Sequence, residues 1–186
     1  NDGWPEIVSV DMLPADPYIL KRSLGEDTWD IFNFKIGVGY AHQYTRNNLQ
    51  VSQRNGLYSE TGLYSGVAAT DWSWAPLFCD LDNDGWKDLL ITNGYLHDVR
   101  DNDYARAVYD TIHTGSGYFG TLGLVPSTKL RNYLFRNNGD LTFADSSQAW
   151  GFTVPENSNG ATYADLDNDG DLDLVINNLD EVASVH

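Results

Sequence analysis

The chain has 186 residues, a formal net charge of −16, 13% aromatic residues, 17 glycines and a single cysteine. Such acidity argues against a nucleic-acid partner, whose phosphates demand Lys and Arg, and equally against docking on anionic lipid. The lone Cys79 cannot form an internal disulfide, and no apolar run approaches the roughly 20 residues that span a bilayer.

The opening NDGWPEIVSVD (residues 1–11) reads as the back half of an acidic loop followed by a strand, so a natural mature N-terminus is not expected here and no leader segment is visible. Residues 13–41 follow as an insertion. QYTRNN (43–48) then resembles a later YLFRNN (133–138), and LYSE (57–60) resembles TFAD (142–145). Gly66-Val67 is matched by Gly151-Phe152. Residues 75–80 and 161–165 are short, apolar and bounded by turns, hence strands. FCDLDNDGWKDLLITN (78–93) aligns without gaps to YADLDNDGDLDLVINN (163–178), and the loop glycines Gly3, Gly85 and Gly170 stand 82 and 85 residues apart.

After each complete loop an apolar run, 89–92 and 174–177, reads as a buried strand. A second insertion, 95–130, contains DNDYARAVYDTIH (101–113), with helical spacing at Tyr104, Val108 and Ile112 and Asp101 as N-cap. The next stretch, 115–128, reads as a loop. Residues 133–136 and 141–144 flank Asn137-Asn138-Gly139-Asp140, a hairpin signal because Asn and Gly tolerate positive φ. Four short strands per unit describe a propeller blade. The expected fold is therefore all-β: a fragment of a β-propeller over 1–186, built of four-stranded antiparallel blades with partly helical insertions. Residues 1–60 form a partial blade with its insertion at 13–41. Residues 75–145 form a complete blade with its insertion at 95–130, and 160–186 start the next.

The repeated loops carry D-x-D-x-D-G-x-x-D. One copy is Asp80, Asp82, Asp84, Gly85 and Asp88; the other is Asp165, Asp167, Asp169, Gly170 and Asp173. Carboxylates at positions one, three and five of a tight loop converge, glycine permits the turn, the carbonyl at seven (Trp86 or Asp171) adds an oxygen, and the ninth residue closes the cage. Hard oxygen donors in that number suit Ca2+ better than Mg2+. No Cys or His cluster supports zinc. An EF-hand needs a Glu at position twelve between helices; Ile91 and Ile176 stand there instead, with strands on both flanks. Two complete calcium sites are expected, and a third, truncated one at Asp2 and Glu6.

These loops between strands resemble the FG-GAP repeats of integrin α-subunit propellers and the bacterial VCBS repeats. YLFRNNG, FAD and DLDNDGDLDLV look most like VCBS proteins related to cartilage acidic protein, and residues 70–95 look like large surface proteins of the Bacteroidetes. The resemblance implies a propeller, calcium in the loops, and export to the cell surface or beyond. A propeller closes with about 4–8 blades, so this chain is not expected to close a ring alone: either it is a piece of a larger protein or other parts supply the missing blades.

The six Trp and Cys79 read as packing residues, with Trp72 and Trp74 expected between blades. The four His read as ordinary, and Asp98, Asp101 and Asp103 as a solvated helix start. No catalytic constellation stands out. The expected function is a non-catalytic extracellular module that binds or scaffolds a protein or glycan on its insertion face, with structural calcium. The alternative is the propeller of a calcium-dependent polysaccharide lyase or other carbohydrate-active enzyme; Lys21, Arg22, Arg100, Arg106, Lys129 and Arg131 lie in or beside the insertions.

Overall fold

The computed structural model describes residues 2–23, 27–113, 121 and 123–186. Asn1 and half of the predicted 115–128 loop, at 115–120 and 122, lie outside the described residues. Three antiparallel sheets follow one another along the chain. The first is β1 (Ile7–Ser9), β2 (Asn48–Ser52) and β3 (Tyr58–Glu60). The second is β4 (Ser73–Cys79), β5 (Asp88–Asn93), β6 (Tyr133–Asn137) and β7 (Phe143–Asp145). The third is β8 (Ser158–Ala164), β9 (Asp173–Asn178) and β10 (Ser184–Val185), with β9 central. The structure is mostly β and antiparallel; among the described residues, one sheet has four strands and two have three.

The second sheet is the middle layer, and its residues alternate between two cores. Leu89, Ile91, Tyr133 and Phe135 pack with Leu49 and Val67 toward the first sheet. Leu90, Leu134 and Cys79 pack with Phe152, Leu174 and Ile176 toward the third. Every residue of β5 is buried, as a strand covered on both faces must be. Cys79 is a small core residue, and burial pushes its thiol up to about 11.

Equivalent strand pairs correct the internal alignment. Val8 pairs with Leu49 and Leu90 with Leu134, so Arg46 and Asn47 correspond to Arg131 and Asn132, five residues before the Arg136-Asn137 that QYTRNN suggests. The side chains agree: Arg46 bonds Glu60 at 2.9 Å and Arg131 bonds Asp145 at 2.8 Å, each pair 14 residues apart. Two Arg-Asn dipeptides stand near each other in the second copy, and pattern matching has no means of choosing between them; backbone pairing does.

A chain of buried amides and hydroxyls crosses all three sheets. Asn47 donates to Thr70, Thr70 and Ser73 share a 2.7 Å bond, and the Ser73 hydroxyl donates to Asn93 at 3.1 Å. The Asn93 N–H donates to Asn132 Oδ1 at 2.8 Å, Asn132 donates to Ser158 at 2.9 Å, and Ser158 donates to Asn178 Oδ1 at 2.7 Å. Buried polar groups are stabilising only when partnered, and this relay partners them between sheets.

The first insertion folds into α1 (Pro17–Arg22), started by the Asp16 carboxylate accepting from the Tyr18 N–H with Pro17 in its first turn, and α2 (Trp29–Gly37). The second holds α3 (Asn102–His113). Asp101 caps α3 as expected, its Oδ1 accepting from the N–H groups of Asp103 and Tyr104. Val108 is half-buried, yet Ile112 at the end of that stripe is exposed.

The insertions meet. Arg22 pairs with Asp101 at 2.7 Å, Asn102 donates to the Ser23 carbonyl, and Arg100 donates to the Met12 carbonyl. Asp98 and Asp101 are therefore buried rather than solvated, at 6% and 5% exposure, and only Asp103 faces water. Trp72 and Trp74 also depart from expectation. Trp72 lies against Tyr95 with Arg100 over its ring, and Trp74 donates to the Gly94 carbonyl and is exposed, so both pack at the second insertion and not between sheets. In the β6–β7 turn the positive φ falls on Gly139 (76°) and Leu141 (69°), not on either Asn.

Candidate metal centre

Each complete acidic loop joins the first and second strands of a sheet, β4 to β5 and β8 to β9. The two copies share their hydrogen bonds. Leu81 N–H donates to Asp88 Oδ2 at 3.0 Å and Leu166 N–H to Asp173 Oδ2 at 2.8 Å. Gly85 N–H donates to Asp80 at 3.0 Å and Gly170 N–H to Asp165 at 3.1 Å. Asn83 and Gly85 in one loop, and Asn168 and Gly170 in the other, have positive φ. Asn and Gly are the residues that accept that conformation most readily, and two such positions turn the chain back on itself.

The result is a pair of three-carboxylate clusters. Oxygens of Asp80, Asp82 and Asp88 lie within 4.8 Å of one another, as do those of Asp165, Asp167 and Asp173. Asp84 and Asp169 stand outside these clusters; each instead accepts the N–H two residues on, from Trp86 at 2.9 Å and Asp171 at 3.0 Å. The Trp86 ring covers Gly139 in the β6–β7 turn, and the Asp171 carboxylate accepts from Asn83 across the two loops at 2.6 Å. In the N-terminal loop Asp2 accepts from the Trp4 N–H and is paired with Arg54, while Glu6 is exposed. Among the described residues, Asp2 and Glu6 belong to no carboxylate cluster.

Electrostatics in both clusters favour a cation. Burial, offset by N–H donors from Asn137 and Leu81 and reinforced by Asp82 and Asp84, raises the pKa of Asp88. Repulsion from Asp169 raises that of Asp167. Asp80 Oδ1 is a buried oxygen with no hydrogen-bond partner. Orphaned buried carboxylate oxygens are costly unless a cation meets them, and the donors here are oxygen alone, the set a hard divalent ion takes. The residues fit such an ion.

Residues 113–176 match the family model of the FG-GAP-like repeat. The matched segment runs from the end of α3 through β6, β7 and β8 into β9 and takes in the acidic loop 165–173. No curated protein matches the chain. No helix among the described residues is long and apolar enough to cross a membrane.

Three features of the loops and sheets escape sequence reasoning. The Asn83–Asp171 bond between loops and the Asn47–Asn178 relay join residues far apart in the chain. Arg136, on β6, reaches Asp82 at 2.6 Å and Asp84 at 2.8 Å, more than 50 residues away. No local pattern signals these contacts.

Proposed function

We propose that this chain is a stretch of a β-propeller whose acidic loops bind calcium, and that it acts outside the cell or on its surface as a non-catalytic binding or scaffold module. The three sheets are read as successive blades over residues 1–60, 75–145 and 160–186. The observation that carries the reading is the duplicate loop, in which the same backbone bonds gather three carboxylates twice. Calcium suits it because flexible, oxygen-only loops with several carboxylates match its 6–8 ligands, whereas Mg2+ keeps most of its water. In this reading Asp80, Asp82 and Asp88, and Asp165, Asp167 and Asp173, hold the ions, with Asp84, Asp169 and the carbonyls of Trp86 and Asp171 completing the shells. The match to a repeat family of non-catalytic modules supports the non-enzyme reading.

The partner, a protein or a glycan, is placed on the insertions. There a depression of about 1020 Å3 is bordered by a run of rings: Trp29 stacks on Phe32, which lies against His42 and Tyr44. Trp29 is 73% exposed.

The test is thermal unfolding with and without chelator. An ion that binds only the folded loop stabilises by mass action, by about 2.7 kcal/mol at one hundred times Kd for a single site. Tm falls in chelator and returns with calcium, and magnesium restores little of it. Identical Tm values in chelator and in calcium would remove the basis of the proposal.

A further inference from the structure

We infer that Arg136 is a resident counter-cation of the loop 80–88: it holds the loop in shape without a divalent ion and lowers the loop's affinity for one. The inference rests on the metal-binding reading above and concerns what this chain's own residues do to that site.

Four aspartates within nine residues repel one another, and Arg136 meets two of them. Its Nε donates to Asp82 Oδ2 at 2.6 Å and its Nη2 to Asp84 Oδ2 at 2.8 Å. Asp82 belongs to the three-carboxylate cluster and Asp84 does not, so the planar guanidinium ties the cluster to the neighbouring carboxylate through a fork that a lysine does not reproduce. The next residue reinforces the seat: Asn137 donates its N–H to Asp88 Oδ1 and its side-chain amide to the Lys87 carbonyl, both at 2.9 Å. The end of β6 thus backs the whole loop.

The N-terminal loop contains the same device made from a different position. Asp2 corresponds to Asp84, each accepting from the N–H of a Trp two residues on. Arg54 bonds Asp2 Oδ2 through Nε at 3.0 Å and Nη2 at 2.5 Å. By strand register Arg136 corresponds to Val51, so Arg54 reaches its loop from the turn after β2 rather than from the strand. Two separate positions deliver a guanidinium to the same point of the repeat, which marks that point as one that needs positive charge.

The side chain of Arg136 is 44% exposed, so its effect is an electrostatic one open to screening. A unit positive charge beside a surface cation site lowers affinity for a divalent ion by roughly three- to tenfold.

Terbium luminescence sensitised by Trp86, which lies in this loop, reads the site directly, and calcium competition gives its affinity. Arg136→Gln is expected to bind calcium three- to tenfold more tightly at low salt, with the gain shrinking as salt rises, and to lose more Tm than wild type in chelator. Arg136→Lys keeps the charge and is expected to stay within about twofold of wild type in affinity. The loop 165–173, with no such arginine pair among the described residues, is the internal reference and is expected to be unchanged in calorimetric titration of either variant. Normal calcium binding by wild type with equal or weaker binding by Arg136→Gln overturns the counter-cation role alone. A Lys variant that shifts as far as Gln overturns the charge argument. Absence of cation binding in wild type and variants alike overturns the metal reading and this inference together.

Discussion

Asp71 sits in the turn before β4 with φ of 73°, 6% exposed, its N–H donating to the Leu13 carbonyl at 2.8 Å. Burial first, then repulsion from Asp98 and Asp16, raise its pKa from 3.8 to about 6, against a smaller pull from Arg100. The sign follows from linkage. A carboxyl whose folded pKa lies above its unfolded one is bound to its proton more tightly in the native state, so its contribution to stability is fully present below pH 3.8 and is lost as pH rises to about 6. Above that pH the native state carries a charge it disfavours by up to about 3 kcal/mol, from about two pKa units at 1.36 kcal/mol each. Asp71→Asn removes the charge, keeps the shape, and retains a residue that tolerates the left-handed backbone. It should therefore stabilise the protein by up to about 3 kcal/mol at pH 8 and be neutral near pH 3.5. For a chain of this size that corresponds to roughly 6–12 °C in Tm. The assay is a pair of melts for wild type and variant at both pH values, compared as differences so that other titrating groups cancel. An Asp71→Asn variant that melts below wild type at pH 8, or that gains equally at both pH values, would refute the reasoning.

Two further perturbations probe the layers between sheets. Leu90 is fully buried in the core shared by the second and third sheets, and Leu90→Ala should cost about 2–5 kcal/mol in urea unfolding; a loss under 1 kcal/mol would mean the sheets do not pack there. Asn132→Ala leaves the Asn93 N–H without its acceptor and takes one of the two partners of the Ser158 hydroxyl, and should cost about 1–3 kcal/mol for the one orphaned group. An Asn132→Ala variant as stable as wild type would show that the relay contributes nothing.

Much of the candidate site was legible because its determinants are local. The spacing of Asp80, Asp82 and Asp88, the positive-φ Asn83 and Gly85, and the apolar run of β5 all act within a few residues, and the same pattern recurs 85 residues on. The strands β4, β5, β6, β8 and β9 and the cap at Asp101 fall where composition and turn residues put them, because short apolar runs between turns have few alternatives. Helix α1 was also within reach: Asp16 before Pro17 is a start signal, though it lies inside a segment read as an insertion.

What the sequence by itself determined, then, is the repeated unit: an acidic turn that gathers carboxylates, a buried strand after it, and a hairpin closing the sheet. Only the tertiary structure decided which Arg-Asn pair is equivalent to Arg46 and Asn47, that Trp72 and Trp74 pack at an insertion, that Asp98 and Asp101 are buried where the insertions meet, and that Arg136 reaches a loop 54 residues away. The physical reason is range. Turn chemistry and strand alternation are fixed by neighbours in the chain, whereas the burial of a carboxylate and the partner of a guanidinium depend on which distant segment the folded layers bring alongside.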